Sequence, residues 1–292
     1  MKWIGYIALC ITFMSCEKEI TLDDLGFTKK LVLNSFNEAD SVLTLNVSSS
    51  VSTLNFPDTD VLDGKVKVLI LKDNQIVYNN TVALGNGRLS VPIICFPSKI
   101  YEIQLEMDDF ATIKAIDSVP NDPPNINIDT VMKVNNSYKL SVNMTDVKDD
   151  NKYLLQLYTE GLEWNGADSA LKTKPLKFSS NDKIFLSNIL TVNTSNSFAL
   201  FEDILFRNDR INFTLTIPED SLNASDYIAN NLKLKVSCIS KITYDYYISV
   251  LENTHVYGGP LSSLSRGNGN VEQGLGIFGF QNSAIKESKV PR

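Results

Sequence analysis

Histidine is nearly missing from this chain: His255 is the only one among 292 residues. A zinc site built from several imidazoles is thereby excluded, and a Ser-His-Asp triad would have to use that one side chain. Positive charge is also scarce. Lys and Arg number 27 against 34 Asp and Glu, giving a net charge of -7 and a pI near 4.9. Sequence-independent nucleic-acid binding draws its affinity from neutralised phosphates, so this balance argues against it. The apolar run from Trp3 to Met14 falls short of the roughly 20 residues that span a bilayer. No amphipathic helical pattern interrupts the first half of the chain. The hydrophobic share of 43% with 21% charged residues still describes a folded protein rather than a disordered one.

What is present begins with the first residues. Lys2 is followed by the apolar run, then by Ser15 and Cys16. A basic start, a short apolar middle and a small residue before a thiol form the layout of a bacterial lipoprotein signal. Residues 1–15 are expected to be removed and Cys16 to carry the lipid, with residues 16–23 as a tether. The alternatives are an ordinary secretory signal with an incidental Cys16, or a poorly cleaved anchor. Several acyl chains would hold the protein to a membrane far better than one, at about 0.8 kcal/mol per buried methylene.

Cys10 leaves with the signal and Cys16 takes the lipid, so only Cys95 and Cys238 remain. Each falls in phase with apolar neighbours, Val91 and Ile93 in one case and Leu232, Leu234 and Val236 in the other. Both are expected to face cores as small hydrophobes; a disulfide joining the halves is the competing reading.

Period-two alternation dominates the body. Leu43, Leu45 and Val47 alternate with polar residues, as do Tyr101, Ile103, Leu105 and Met107, the pattern of half-buried strands. Lys72, Asp73 and Asn74 predict a hairpin turn, and Gly85, Asn86 and Gly87 another. An all-β fold follows, with residues 24–119 as an immunoglobulin-like β-sandwich. Pro120, Pro123 and Pro124 mark residues 120–125 as a semi-rigid linker. Residues 126–292 resume the alternation at Tyr138 to Met144 and Ile211 to Ile217, predicting a second β-sandwich or barrel. The stretches Gly161 to Lys174 and Ser187 to Ser197 are expected to be polar loops. Tyr244, Tyr247, Ile248, Leu251 and His255 follow helical spacing and predict one short helix near 243–256, stopped by Gly258, Gly259 and Pro260.

Several motifs have a sharp and a plain reading. Gly274, Gly276 and Gly279 match a dinucleotide fingerprint, but no helix or later acidic residue completes it, so a closely packed final strand is expected. Asp58, Asp60, Asp63 and Gly64 miss the EF-hand spacing and put Leu69 where a bidentate Glu belongs. Those residues, and Asp146, Asp149 and Asp150, read better as acidic turns than as a non-EF calcium site. Tyr244, Tyr246, Tyr247 and Tyr257 could stack on sugar rings; packing of the helix is the plainer account. No spacing selects a catalytic carboxylate pair. No catalytic residue, cofactor or metal ligand is assigned.

ISKITYDYYISVLENT followed by VEQGLGIFGF at Val271 to Phe280 resembles the C-terminal signature of the Bacteroidota lipoproteins grouped as Domain of Unknown Function family 4249. LVLNSFN at Leu31 to Asn37 and VPNDPPNI at Val119 to Ile126 resemble its other features, in the same order. The match departs at Ser262 to Gly269. Glu17, Lys18 and Glu19 also resemble signals that send such lipoproteins to the outside of the outer membrane, although a charged run is commonly just a solvated tether. The resemblance implies a lipid-anchored outer-membrane protein, facing the cell surface or the periplasm, beside a TonB-dependent receptor; with no catalytic residue assigned, a non-catalytic accessory or binding partner of that transport system is expected. A surface-attached hydrolase acting on glycan or peptide, or a structural adhesin-like protein, are the alternatives. A glycan or peptide ligand fits any of these; nucleic acid does not.

Overall fold

The computed structural model describes residues 28–51, 62–146, 150–165, 168–185, 197–205, 209–224, 226–256 and 269–291. Asp73 and Asn74 both take positive φ, 48° and 65°. This mirror-image turn matches the twist of paired strands, and it joins β3 (Gly64–Lys72) to β4 (Gln75–Leu84). Asn86 and Gly87, at 52° and 70°, turn the chain into β5 (Arg88–Ile94). Both expected hairpin turns are thus in place, made by residue types that tolerate the left-handed region.

With β1 (Leu31–Glu38), β2 (Val42–Ser49), β6 (Ile100–Glu106) and β7 (Ile113–Ser118), these strands form two layers. β1, β2 and β5 lie on one side, and a four-stranded sheet in the order β4-β3-β6-β7 lies on the other. The alternation read from the sequence sends Leu43, Leu45 and Val47 inward with Val66, Val68, Ile70, Tyr101, Ile103 and Leu105. This is the immunoglobulin-like sandwich that the alternation predicts.

The second half adds β8 (Asn125–Val134), β9 (Ser137–Thr145), β10 (Lys152–Asn165), β11 (Asp168–Pro175), β12 (Phe198–Glu202), β13 (Arg210–Pro218), β14 (Asn223–Ala224) and β15 (Tyr227–Ile239). A three-stranded sheet, β13-β9-β8, faces β10, β12 and β15 across a second core that includes Leu140, Val142, Tyr153, Leu155, Phe201, Phe213 and Val236. The fold is all-β in a sandwich arrangement, with one α-helix among the described residues, α1 (Lys241–Val256).

The last strand, β16 (Leu275–Lys289), ties the halves together. Its first part runs parallel to β1, pairing Ser35 with Phe278 and Asn37 with Phe280. Its second part runs antiparallel to β15, from Ile239 opposite Gln281 to Asn231 opposite Lys289. The large sheet therefore reads β11-β10-β15-β16-β1-β2-β5 without a break. Phe278 and Phe280 drop into the first core while Ala284 packs on the second. Each phenyl ring so buried contributes roughly 1.5–3 kcal/mol. Residues 30–50 and 60–292 form one compact unit. The proline-bearing junction at 120–125 is held down as well, since Asn282 Nδ2 donates to the carbonyls of Pro120 and Asn121 (3.3 and 2.9 Å).

One expected loop is a hairpin instead. Gly161 to Lys174 contains the end of β10 and most of β11, paired from Asn165 opposite Asp168 to Tyr158 opposite Pro175. Nearly all of β11 is exposed, so it needs few apolar residues, and its polar composition concealed the strand. The other expected loop, Ser187 to Ser197, lies almost wholly outside the described residues.

Candidate functional site

Two places on this scaffold gather side chains of functional interest. The first is the joint where β7, β16 and α1 meet. Helix α1 lies on the face of the large sheet opposite the second core, packing Tyr244 and Leu251 on Leu154, Leu200 and Ile239. Ser240 starts it: its Oγ accepts from the Thr243 amide at 3.1 Å, the bond expected of an N-cap serine. The same hydroxyl donates to Asp117 Oδ2 at 2.6 Å, and the Phe280 amide donates to that oxygen at 3.1 Å. Asp117 is buried, and burial pushes its carboxyl up to about 6 against the opposing pull of these donors and of the Ser118 amide. Gly279 lets the helix sit this close, because a Cβ there would stand 2.3 Å from Thr243 Oγ1. The glycine spacing in GLGIFG thus serves close packing of strand and helix, as the plain reading of that motif expects.

Beside this joint a cleft of about 400 Å³ opens between the proline junction and the adjoining ends of β10, β15 and α1, lined among others by Asn121, Asp122, Asp150, Asn151, Lys152 and Cys238. Its thiol is no nucleophile. Burial, reinforced by the charges of Asp146, Asp203 and Asp122, pushes Cys238 up to about 12, and its Sγ donates to Asn151 Oδ1 at 3.2 Å. Asp146 accepts from the Tyr153 hydroxyl at 2.5 Å. Asp203, its carboxyl raised chiefly by burial, accepts from the Asn151 amide at 2.9 Å. These carboxylates organise the end of the second core. Among the described residues no group of three or more His, Cys, Asp or Glu side chains is placed to hold a metal ion.

The second place is the far end of the β10–β11 hairpin. Leu162 stands directly opposite Leu171 on one side and Ile228 on the other. Trp164 follows two residues on, along the same face. Leu162, Leu171, Ile228 and Trp164 are all exposed, by 36%, 62%, 47% and 38% respectively. Lys233 borders this apolar stripe on the same face, paired with Glu160 and Glu287 at 2.6 and 3.2 Å, while the Glu163–Lys174 pair at 2.7 Å lies on the opposite face of the hairpin, beside Tyr227. A register shift between Glu160 and Gly161 separates the stripe from the core-covering part of the sheet. Gly161 is required there, since a Cβ would meet the Ile228 carbonyl oxygen at 2.1 Å. An exposed apolar patch bordered by charged residues is the kind of surface that protein contacts use.

The remaining sequence candidates fall as follows. Cys95 is buried in the first core and Cys238 in the second, and both are free thiols, so no disulfide joins the halves. Tyr244 is a core residue, while Tyr246 and Tyr247 pack around Phe36 at ring-centroid distances of 5.9 and 5.5 Å. Cys16, Asp58, Asp60, Asp149 and Tyr257 lie outside the described residues, and of His255 only the helical backbone is described. Sequence reasoning passed over Ser240 and did not foresee the burial of Asp117. A serine just ahead of the helical spacing was a readable N-cap signal, whereas nothing near Asp117 distinguishes it from a surface acid. Sequence reasoning also missed the Leu162, Leu171 and Ile228 row, which only strand register assembles.

No curated protein matches the chain. Among solved structures, a Salmonella alpha-2-macroglobulin mutant aligns at 14% identity and a TM-score of 0.26, covering 91% of this chain and 15% of that one. The chain thus spans a small part of that protein's length. A family described as a domain of unknown function (DUF4249) matches residues 17–287. That match takes in both cores, the joint at Asp117 and the β10–β11 hairpin, and the chain belongs to this family.

Proposed function

We propose that this chain is a lipid-anchored protein of the bacterial outer membrane, facing the cell surface, that works without catalysis as a binding partner of a TonB-dependent transport system. The observation that carries the reading is the exposed stripe of Leu162, Trp164, Leu171 and Ile228, bordered on the same face by the ion pairs of Lys233 with Glu160 and Glu287. Burying such a stripe against a partner returns roughly 25 cal/mol per Å² of apolar surface before the costs of association. The Lys2 to Cys16 layout supports an anchor at the membrane, where the partner would be an integral receptor rather than a freely diffusing protein.

The test is gentle detergent extraction of the tagged full chain from its native membrane. A large β-barrel receptor is expected to co-purify, and the doubly substituted Leu162→Lys, Leu171→Lys chain is expected to lose about nine-tenths of it, the loss that about 1.4 kcal/mol or more of weakened binding produces. Both side chains are solvent-exposed, so the fold should survive, as circular dichroism can verify. A wild-type chain that emerges alone, or a substituted chain that retains the barrel, defeats the proposal. Mass spectrometry of the mature N-terminus checks the anchor separately: Cys16 should carry acyl chains.

A further inference from the structure

Helix α1 is separable from the rest of the fold. Tyr244 and Leu251 pack on Leu154, Leu200 and Ile239 in a cluster apart from the two cores, so lifting the helix leaves both cores closed. An element held by a small satellite cluster opens at a lower free energy than the whole fold. What pins its first turn to the sheet is polar. Ser240 Oγ donates to Asp117 Oδ2 at 2.6 Å and lies 2.9 Å from Thr243 Oγ1, and the Ser240 amide donates to the Phe280 carbonyl at 3.2 Å.

Three elements, β7, β16 and α1, thus share one carboxyl, and it is only 5% exposed. Among the described residues no cation pairs with it; burial and the hydrogen bonds from Ser240, Ser118 and Phe280 govern its ionisation. The neighbouring elements bring few titratable groups. β6 sets Tyr101 opposite Asp117, but that hydroxyl donates to the Ile94 carbonyl. α1 brings Lys241, which pairs with Asp245, and Tyr244, buried in the helix cluster. β15 and the proline junction bring Cys238 and Asp122, both on the cleft, and β16 brings none from Leu275 to Asn282. On β7 itself the nearest charge, Lys114, falls on the other face. Ionisation therefore strands an unpaired charge where water is excluded. Ser240 both lines the cleft of about 400 Å³ and holds Asp117, so displacing it, and with it the helix N-cap, is the short path to solvation.

We propose that Asp117 is an acid-closed latch: with its proton in place the carboxyl keeps the first turn of α1 docked on β7 and β16, and once the proton passes to solvent the carboxylate draws water from the cleft and the turn lifts. The docked midpoint is raised from 3.8 to about 6, and opening the joint restores the ordinary value. Docking is therefore firmest below about pH 4, loosens as pH rises to about 6, and changes little above that. The opening equilibrium should rise by roughly a hundredfold from pH 4 to 7, most of it below pH 6.

Hydrogen–deuterium exchange of the full chain in detergent is the test, read by mass spectrometry from pH 4 to 7 with each rate divided by that of an unstructured peptide. The amides of Tyr244 to Ser249 should lose protection by roughly a hundredfold across the range. At every pH they should exchange faster than the amides of β10 and β15. In Asp117→Asn the trend should shrink to less than about threefold. Asp122→Asn, which removes an exposed carboxylate from the same cleft, should leave the trend as in the wild type. Protection in α1 that is independent of pH overturns the proposal, as does a helix that exchanges only together with β10 and β15, for then nothing opens locally. A trend that survives Asp117→Asn, or that Asp122→Asn abolishes, overturns it equally. Whether a barrel co-purifies has no bearing on these outcomes, so either proposal can fail alone.

Discussion

Replacing Asp117 by Asn should make the protein more stable at neutral pH than the wild type, and the gain should disappear in acid. The carboxyl lies in the joint between β7, β16 and α1, where burial raises its midpoint from 3.8 to about 6. Because the folded state binds the proton more tightly than the unfolded state, this group's contribution is full below about pH 4. It is lost as pH rises to about 6. Moving a midpoint by one pH unit takes about 1.36 kcal/mol, so ionisation inside the fold costs about 3 kcal/mol at pH 7. An Asn oxygen in the place of Oδ2 keeps the donors from Ser240 and Phe280. Its amide nitrogen must then face the Ser118 amide, which loses a hydrogen bond worth about 1 kcal/mol. The expected net gain at pH 7 is about 1–2 kcal/mol. Urea denaturation of both chains from pH 4 to 7 reads it directly, and the other carboxylates cancel in the difference. That difference should grow by about 3 kcal/mol over the range. A flat difference would show that Asp117 titrates as an ordinary surface acid, and the account of the joint would fall.

Other outcomes follow from the same packing. Gly279→Ala should cost about 1–3 kcal/mol by forcing a methyl group against Thr243 Oγ1. In a double-mutant cycle with Thr243→Ala, a coupling near zero would contradict the close approach. Burial pushes Cys95 and Cys238 each up to about 12, so neither should react with iodoacetamide at pH 8 until denaturant is added; peptide mass spectrometry showing rapid alkylation of the folded protein would refute this.

The parts of the fold that were legible in the sequence are those set by near neighbours. Asp73-Asn74 and Asn86-Gly87 announced their turns because few residues accept positive φ, and the alternation at Leu43 to Val47 announced an inward face because one side of that strand is wet. Helix α1 was legible from its own spacing. What could not be read rests on long-range pairing. Leu33 and Gly276 are partners across almost the whole chain, and neither local composition nor period specifies a parallel neighbour that distant. The β10–β11 hairpin reads as a loop in the sequence because a two-sided exposed ribbon buries too little to impose alternation. The candidate contact surface was illegible for the same reason: Leu162, Leu171 and Ile228 are ordinary singly and become a stripe only through register. Asp117 looked like any acid before a serine, and only the fold reveals that water is excluded from it.

The central position of β16 also bears on biosynthesis. Of the strands described, the one that closes both cores leaves the ribosome last, and β1 must wait for a partner more than 200 residues downstream. Until that strand arrives, β1 and β15 each present an open flank, and neither core can close. Final compaction is thereby deferred until nearly all of the chain has been made, and a product cut short before Leu275 would offer proteases two unfinished halves.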